Sequence, residues 1–132
     1  MINIYYRKNT SSSKKALDWF QAHSIFVDKH KMDQIPWDEL IRLLSLTENG
    51  MSDILKRTSK VNRQTKKKID YLMELSFNEA IYYMKSHTEI LQDPIIIENQ
   101  KYLVGYNKDE IRQFIPKDRL TWAGDARAIW QE

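Results

Sequence analysis

The sequence predicts an α/β fold: a mixed four-stranded sheet made of a βαβ unit and a ββα unit, with a helical insertion between the halves. Three observations carry the prediction. Strand-like stretches stand only near the two ends, at 2–6 and 25–27 and again at 95–97 and 102–104. The stretch from about 33 to 91 shows helical spacing of its apolar residues instead. A strand, an amphipathic helix and a strand in close succession at the start suit a βαβ unit with a right-handed crossover. One domain covers 1–132: a core from about 1–32 and 92–116, the insertion at about 33–91, and a tail at 117–132.

Each element has a local reason. Asn3 and Tyr5 alternate with Ile2, Ile4 and Tyr6, the period of a strand. Asn9-Thr10-Ser11-Ser12-Ser13 then supplies turn-forming and helix-capping residues. Ala16, Trp19, Phe20 and His23 recur at helical spacing and mark one buried face. Ile25-Phe26-Val27 reads as the second strand. Pro36 and Trp37 open a helix carrying Leu40, Leu43 and Leu44, with Gly50 just past its end as a terminal glycine. Short helical pieces follow through Ile54-Leu55 and from about Thr65 to Met73. Ser76-Phe77-Asn78-Glu79 is a capping box opening a helix with Ala80, Ile81 and Met84 on one side. Ile95-Ile96-Ile97 lacks polar alternation, as expected of a strand covered on both faces. Glu98 to Lys101 turns the chain into Tyr102-Leu103-Val104, and Gly105-Tyr106 breaks that strand. Asn107 to Glu110 caps a last helix with Ile111, Phe114 and Ile115, which Pro116 ends. In the tail, Trp122, Ala126, Ile129 and Trp130 fit an amphipathic helix or a loosely docked segment. The whole pattern is that of a thioredoxin-like core with a helical insertion.

Composition narrows the chemistry. The 132 residues are 42% hydrophobic and 30% charged, the balance of a globular chain rather than a disordered one. The longest apolar runs are too short to span a bilayer, no secretory leader is visible, and a cytoplasmic protein with no membrane partner is expected. There is no cysteine, which removes disulfides, thiolate catalysis and thiol redox sensing together. His23, His30 and His87 have no metal-ligand spacing, and the three glycines form no phosphate loop, so no cofactor is expected. Tyr82, Tyr83, Trp19 and Phe20 are read as core or half-buried packing. Net charge is only +3, but seven basic residues with no acid among them lie between Lys56 and Lys68. Such a run serves phosphate attraction or is a solvated face.

Several segments carry a family resemblance. Asp93-Pro94-Ile95-Ile96-Ile97, the block Val104-Gly105-Tyr106-Asn107-Lys108-Asp109-Glu110-Ile111-Arg112 and Phe114-Ile115-Pro116 closely resemble the C-terminal half of Spx proteins. Leu44, Leu46-Thr47-Glu48-Asn49-Gly50, Ser59-Lys60-Val61 and Lys15-Ala16 fit the same pattern. On these residues the chain is identified as a member of the Spx/arsenate-reductase-like family up to about Pro116. The resemblance implies the thioredoxin-like fold, with the proline before the central strand in cis. It implies a regulator that binds the C-terminal domain of the RNA polymerase α subunit, through Thr47, Glu48, Asn49 and Gly50. It also implies promoter DNA as a partner only within the polymerase complex, contacted by Lys56, Arg57, Lys60 and Arg63, with Thr58 departing from a common arginine. A monomer is expected.

The same resemblance places two departures. The Cys-x-x-Cys redox positions hold Thr10 and Ser13, and the place of the reductases' oxyanion arginine reads Gln92-Asp93. Neither nucleophile nor anion clamp is kept, so no enzyme is expected. Ser11, Ser12 and Ser13 could serve as nucleophiles only with a base in reach, and capping of the first helix explains them without chemistry. The alternatives are a reductase-like enzyme with another nucleophile, or a degenerate family member with another protein partner.

Overall fold

The computed structural model describes residues 1–118. Its four strands form one sheet in the order β2 (Asp28–Lys31), β1 (Asn3–Tyr6), β3 (Ile95–Glu98), β4 (Lys101–Val104). β1 (Asn3–Tyr6) leads into α1 (Ser11–Ala22) and then β2 (Asp28–Lys31), which pairs parallel to β1. The insertion holds α2 (Trp37–Leu46), α3 (Arg63–Leu72) and α4 (Phe77–Ser86) with four 3-10 turns among them. β3 (Ile95–Glu98) runs antiparallel to β1, and β4 (Lys101–Val104) closes a hairpin with it. The α/β thioredoxin-like layout expected from the sequence is therefore the observed one. The Asp93–Pro94 bond is cis.

The core divides at the sheet. Tyr5, Ile95 and Ile97 face the insertion and pack with Leu40, Leu43, Ile69, Leu72, Ile81 and Met84. Ile2, Ile4, Ile96 and Leu103 face the other way, onto Ala16 and Phe20 of α1 and onto Ile111 and Phe114. The triple isoleucine thus feeds both layers, which is why it shows no polar alternation. Tyr5 adds a polar tie: its hydroxyl donates to Glu39 Oε2 at 3.2 Å, and burial followed by the Glu39 charge pushes its pKa up.

Several boundaries move. The second strand is not Ile25–Val27 but Asp28–Lys31. Ile25 and Val27 are buried against the lower layer while Phe26 is 75% exposed, so the segment alternates without pairing. Pairing starts only where the Asp28 N–H donates to the Ile2 carbonyl at 2.8 Å. The true strand is a charged, exposed edge, the composition that discourages further pairing. Gly50 does not terminate α2. That helix ends at Leu46, where Thr47 turns extended and donates its hydroxyl to the Leu44 carbonyl at 2.8 Å. The last predicted helix is a 3-10 turn, Glu110–Phe114, and Asn107 Oδ1 accepts from the Asp109 and Glu110 N–H groups just before it. Tyr82 is not packing material: it is 65% exposed and, among the described residues, stacks only on half-exposed Trp37, because α4 turns Ala80, Ile81 and Met84 inward. The capping box at Ser76 and Glu79 forms as expected. Trp122, Ala126, Ile129 and Trp130 lie outside the described residues.

Candidate functional site

The redox positions of the resemblance lie where β1 hands over to α1, facing the start of β3. The β1–β3 register pairs Asn3 with Ile97, Ile4 with Ile96 and Tyr5 with Ile95. Continued past the strand, it sets Arg7 opposite Asp93. The two form an ion pair at 2.9 Å with side chains only 20% and 8% exposed. Arg7 Nη1 also donates to the Leu91 carbonyl at 2.9 Å, and Nη2 donates to the Thr88 carbonyl.

Around that pair the hydroxyls close in. Thr10 Oγ1 donates to Asp93 Oδ2, and Ser13 Oγ donates to the same oxygen at 2.6 Å. Ser12 Oγ donates to the Asp93 backbone carbonyl at 3.1 Å. The Arg7 N–H donates to Ser13 Oγ at 3.0 Å, so the fully buried Ser13 hydroxyl both accepts and donates. The capping expected of these residues is absent: Thr10 stands at the N-cap of α1 without a side-chain cap bond. The buried carboxylate is a stronger acceptor for the hydroxyl protons than water is, and it draws the side chains toward β3 and away from the capping position. Burial alone would raise the Asp93 pKa. The Ser13 and Thr10 hydrogen bonds and the Arg7 charge outweigh it and hold the carboxyl below its ordinary value. Sequence reasoning placed Thr10, Ser13 and Asp93 here but missed Arg7. An acid at a buried strand entry calls for a cation, but only the strand register names its position.

Thr47, Glu48, Asn49 and Gly50 form an exposed or half-buried loop after α2. It is braced internally. The Asn49 N–H donates to Asp53 Oδ2 at 3.0 Å, and Asn49 Nδ2 reaches Oδ1 at 3.3 Å. Gly50 has φ +67° at the start of the 3-10 turn Gly50–Asp53, and among the described residues no atom beyond its chain neighbours lies within 4 Å of where a Cβ would project. The glycine meets the backbone's demand for a left-handed residue and leaves open space above it.

The basic run splits in two. Lys66 pairs with Asp70 at 3.0 Å and Lys68 with Glu89 at 2.6 Å. Among the described residues, Lys56, Arg57, Lys60 and Arg63 make no ion pair. Lys56, Arg57 and Lys60 line one open cleft of about 420 Å³ with Val61 and Gln92. Arg63 begins α3 and is not part of that lining. Burial, then repulsion from Arg7, pushes the half-buried Lys56 down in pKa, against the pull of Asp93 and Glu89. No α-helix carries 56–60; the segment is extended into a 3-10 turn at Thr58–Lys60.

Gln92 ties the Ile54–Leu55 backbone to the cationic cleft. Its side chain donates to the Leu55 carbonyl at 2.9 Å, its backbone N–H donates to the Ile54 carbonyl at 2.9 Å, and it lines the basic cleft beside Asp93. The cationic cleft and the Asp93 cluster thus meet at the Gln92–Asp93 step.

The ArsC family matches residues 5–114. The global transcriptional regulator Spx of Streptococcus mutans is 35% identical over 120 residues, covering 89% of this chain and 85% of that protein. The Spx of Streptococcus pneumoniae is 31% identical over 119 residues, covering 89% and 87%. Among solved structures, an ArsC family related protein from Bacteroides fragilis superposes with a TM-score of 0.70 at 18% identity, covering 85% of this chain and 95% of that one. An arsenate reductase from Vibrio cholerae gives 0.65 at 20% identity, covering 85% and 92%. These structural likenesses bear on the fold alone.

Proposed function

The chain belongs to the ArsC family, and on that premise we propose that it is an Spx-like transcriptional regulator that works without a thiol switch. It binds the C-terminal domain of the RNA polymerase α subunit as a monomer in the cytoplasm. The supporting observation is a pairing: Spx-like sequence runs through the chain, while residues 10, 13 and 93 form a thiol-free cluster whose polar groups satisfy each other. Arsenate reduction needs electrons from a thiol, which a hydroxyl cannot supply, so the protein is not a reductase.

The docking surface is the loop Thr47–Gly50, where the braced backbone and the open space above Gly50 suit close approach of a partner helix. Lys56, Arg57, Lys60 and Arg63 reach promoter phosphates once the polymerase fixes the protein's position.

The test is direct binding to the isolated α C-terminal domain by wild type, Gly50→Ala and Gly50→Arg. Both variants bear the strain of a side chain at φ +67°, about 1 kcal/mol, so their melts fall together. Only the arginine fills the open space. Binding retained by Gly50→Ala and lost by Gly50→Arg is the expected result. Equal affinity of all three contradicts the docking assignment.

A further inference from the structure

Phe26 is the most exposed large apolar side chain among the described residues, at 75%. It lines an open groove of about 560 Å³ with Met1, itself largely exposed, and with Phe114, Pro116 and Lys117. A second cleft of about 310 Å³ also holds Phe26 and has Lys29 in its wall. Phe26 thus stands between two concave surfaces. Ile2 and Glu98 border the groove, which puts it at the start of β1 and the end of β3, the opposite end of the sheet from Asp93. Neither the Gly50 loop nor the basic cleft shares a residue with it. An exposed apolar surface of this kind, with an aromatic ring at its centre, calls for a cover.

The chain carries a matching segment next to it. Pro116 and Lys117 belong to the wall of the groove, and residues 119–132 continue from there. Trp122 follows Lys117 by five positions, which span at most about 18 Å even when fully extended. Such a tether holds Trp122 at a local concentration on the order of millimolar, far above that of any second copy in dilute solution. Trp122, Ala126, Ile129 and Trp130 stand at the i, i+4, i+7, i+8 spacing of one apolar helical face. Charge agrees with apolar content: Lys29 makes no ion pair among the described residues, and Glu132 stands two positions past Trp130. We propose that residues 119–132 strap this surface, with Trp122 seated against Phe26 in the groove and Ile129 and Trp130 in the second cleft. The Phe26 ring is then an internal docking point.

The experiment uses the full-length chain. Because it has no cysteine, Gln131→Cys carries a nitroxide label at one position, and the label's effect is read on backbone amide signals. Broadening concentrated at Ser24, Ile25, Phe26 and Lys29, unchanged on dilution and removed by Phe26→Glu, is the expected result. Broadening spread evenly or centred on another face overturns the strap. Broadening that fades on dilution overturns it in favour of a second copy's segment. Thermal melts give an independent reading. Phe26→Ser lowers the melt by about 5 °C, as loss of a covered ring does. Trp122→Ser lowers it by a similar amount, and the double variant falls by less than the sum, because the two rings share one contact. A Phe26→Ser melt at or above wild type, the behaviour of an uncovered ring, overturns the strap, and so do additive losses. Should Phe26→Ser fail to fold, the label measurement decides, since it leaves Phe26 in place.

Discussion

Arg7→Met isolates the energetics of the buried cluster. Methionine keeps the apolar stem and removes the guanidinium, with its bonds to Asp93, Leu91 and Thr88. The losses are unequal. The Thr88 carbonyl keeps the Leu91 N–H as a donor at 3.0 Å. Asp93 keeps Thr10 and Ser13 but becomes a charge without a counter-ion at 8% exposure. Breaking a fully buried pair costs about 3–5 kcal/mol. The 20% exposure of Arg7 and the two surviving hydroxyl bonds reduce that to about 2–3 kcal/mol. Urea denaturation at neutral pH reads it as a lower midpoint at unchanged slope. The pH dependence separates the charge from the rest. Asp93 has a depressed pKa in the folded protein, so its contribution is present above the unfolded value of about 3.9 and is lost as pH falls through the folded value. The gap between wild type and Arg7→Met therefore narrows below about pH 4. Absence of any gap at pH 7 refutes the reasoning. A gap that stays constant into acid assigns the loss to the carbonyl bonds instead.

Two further outcomes follow from the surfaces. Lys60→Ala/Arg63→Ala lowers affinity of the ternary complex for all promoter sequences alike and reduces its log–log salt slope by about 2, with binding to the isolated α domain intact; an unchanged slope returns both residues to a solvated face. Arsenate with glutathione, glutaredoxin or thioredoxin gives no turnover over a blank, since Thr10 and Ser13 are engaged with Asp93 and hold no thiol; measurable turnover contradicts the non-enzymatic reading.

How far the sequence could be read depends on what each residue answers to. The strands flanking the insertion were legible because Ile95–Ile97 and Tyr102–Val104 carry their burial in their composition. The capping box was legible because both of its partners lie within four residues. β2 was not, since an edge strand of Asp-Lys-His-Lys has backbone pairing without apolar content, while Ile25 and Val27 next to it have burial without pairing. The serines were misread for a related reason. Local capping is the default for hydroxyls before a helix, and only the fold brings Asp93, eighty positions away from Ser13, close enough to claim them. Arg7 required the strand register, a relation between distant segments. The basic run looked uniform in sequence because the acids that neutralise Lys66 and Lys68 stand at Asp70 and Glu89, outside it.

The central claim is that this family member docks on the polymerase α subunit with no thiol switch. Its affinity for the isolated α C-terminal domain, measured by titration calorimetry in reductant and again after diamide or mild peroxide, tests that claim most directly. One dissociation constant, the same in both conditions, is the predicted result. Absence of binding in either condition, or an affinity that changes with oxidant in a chain without cysteine, contradicts it.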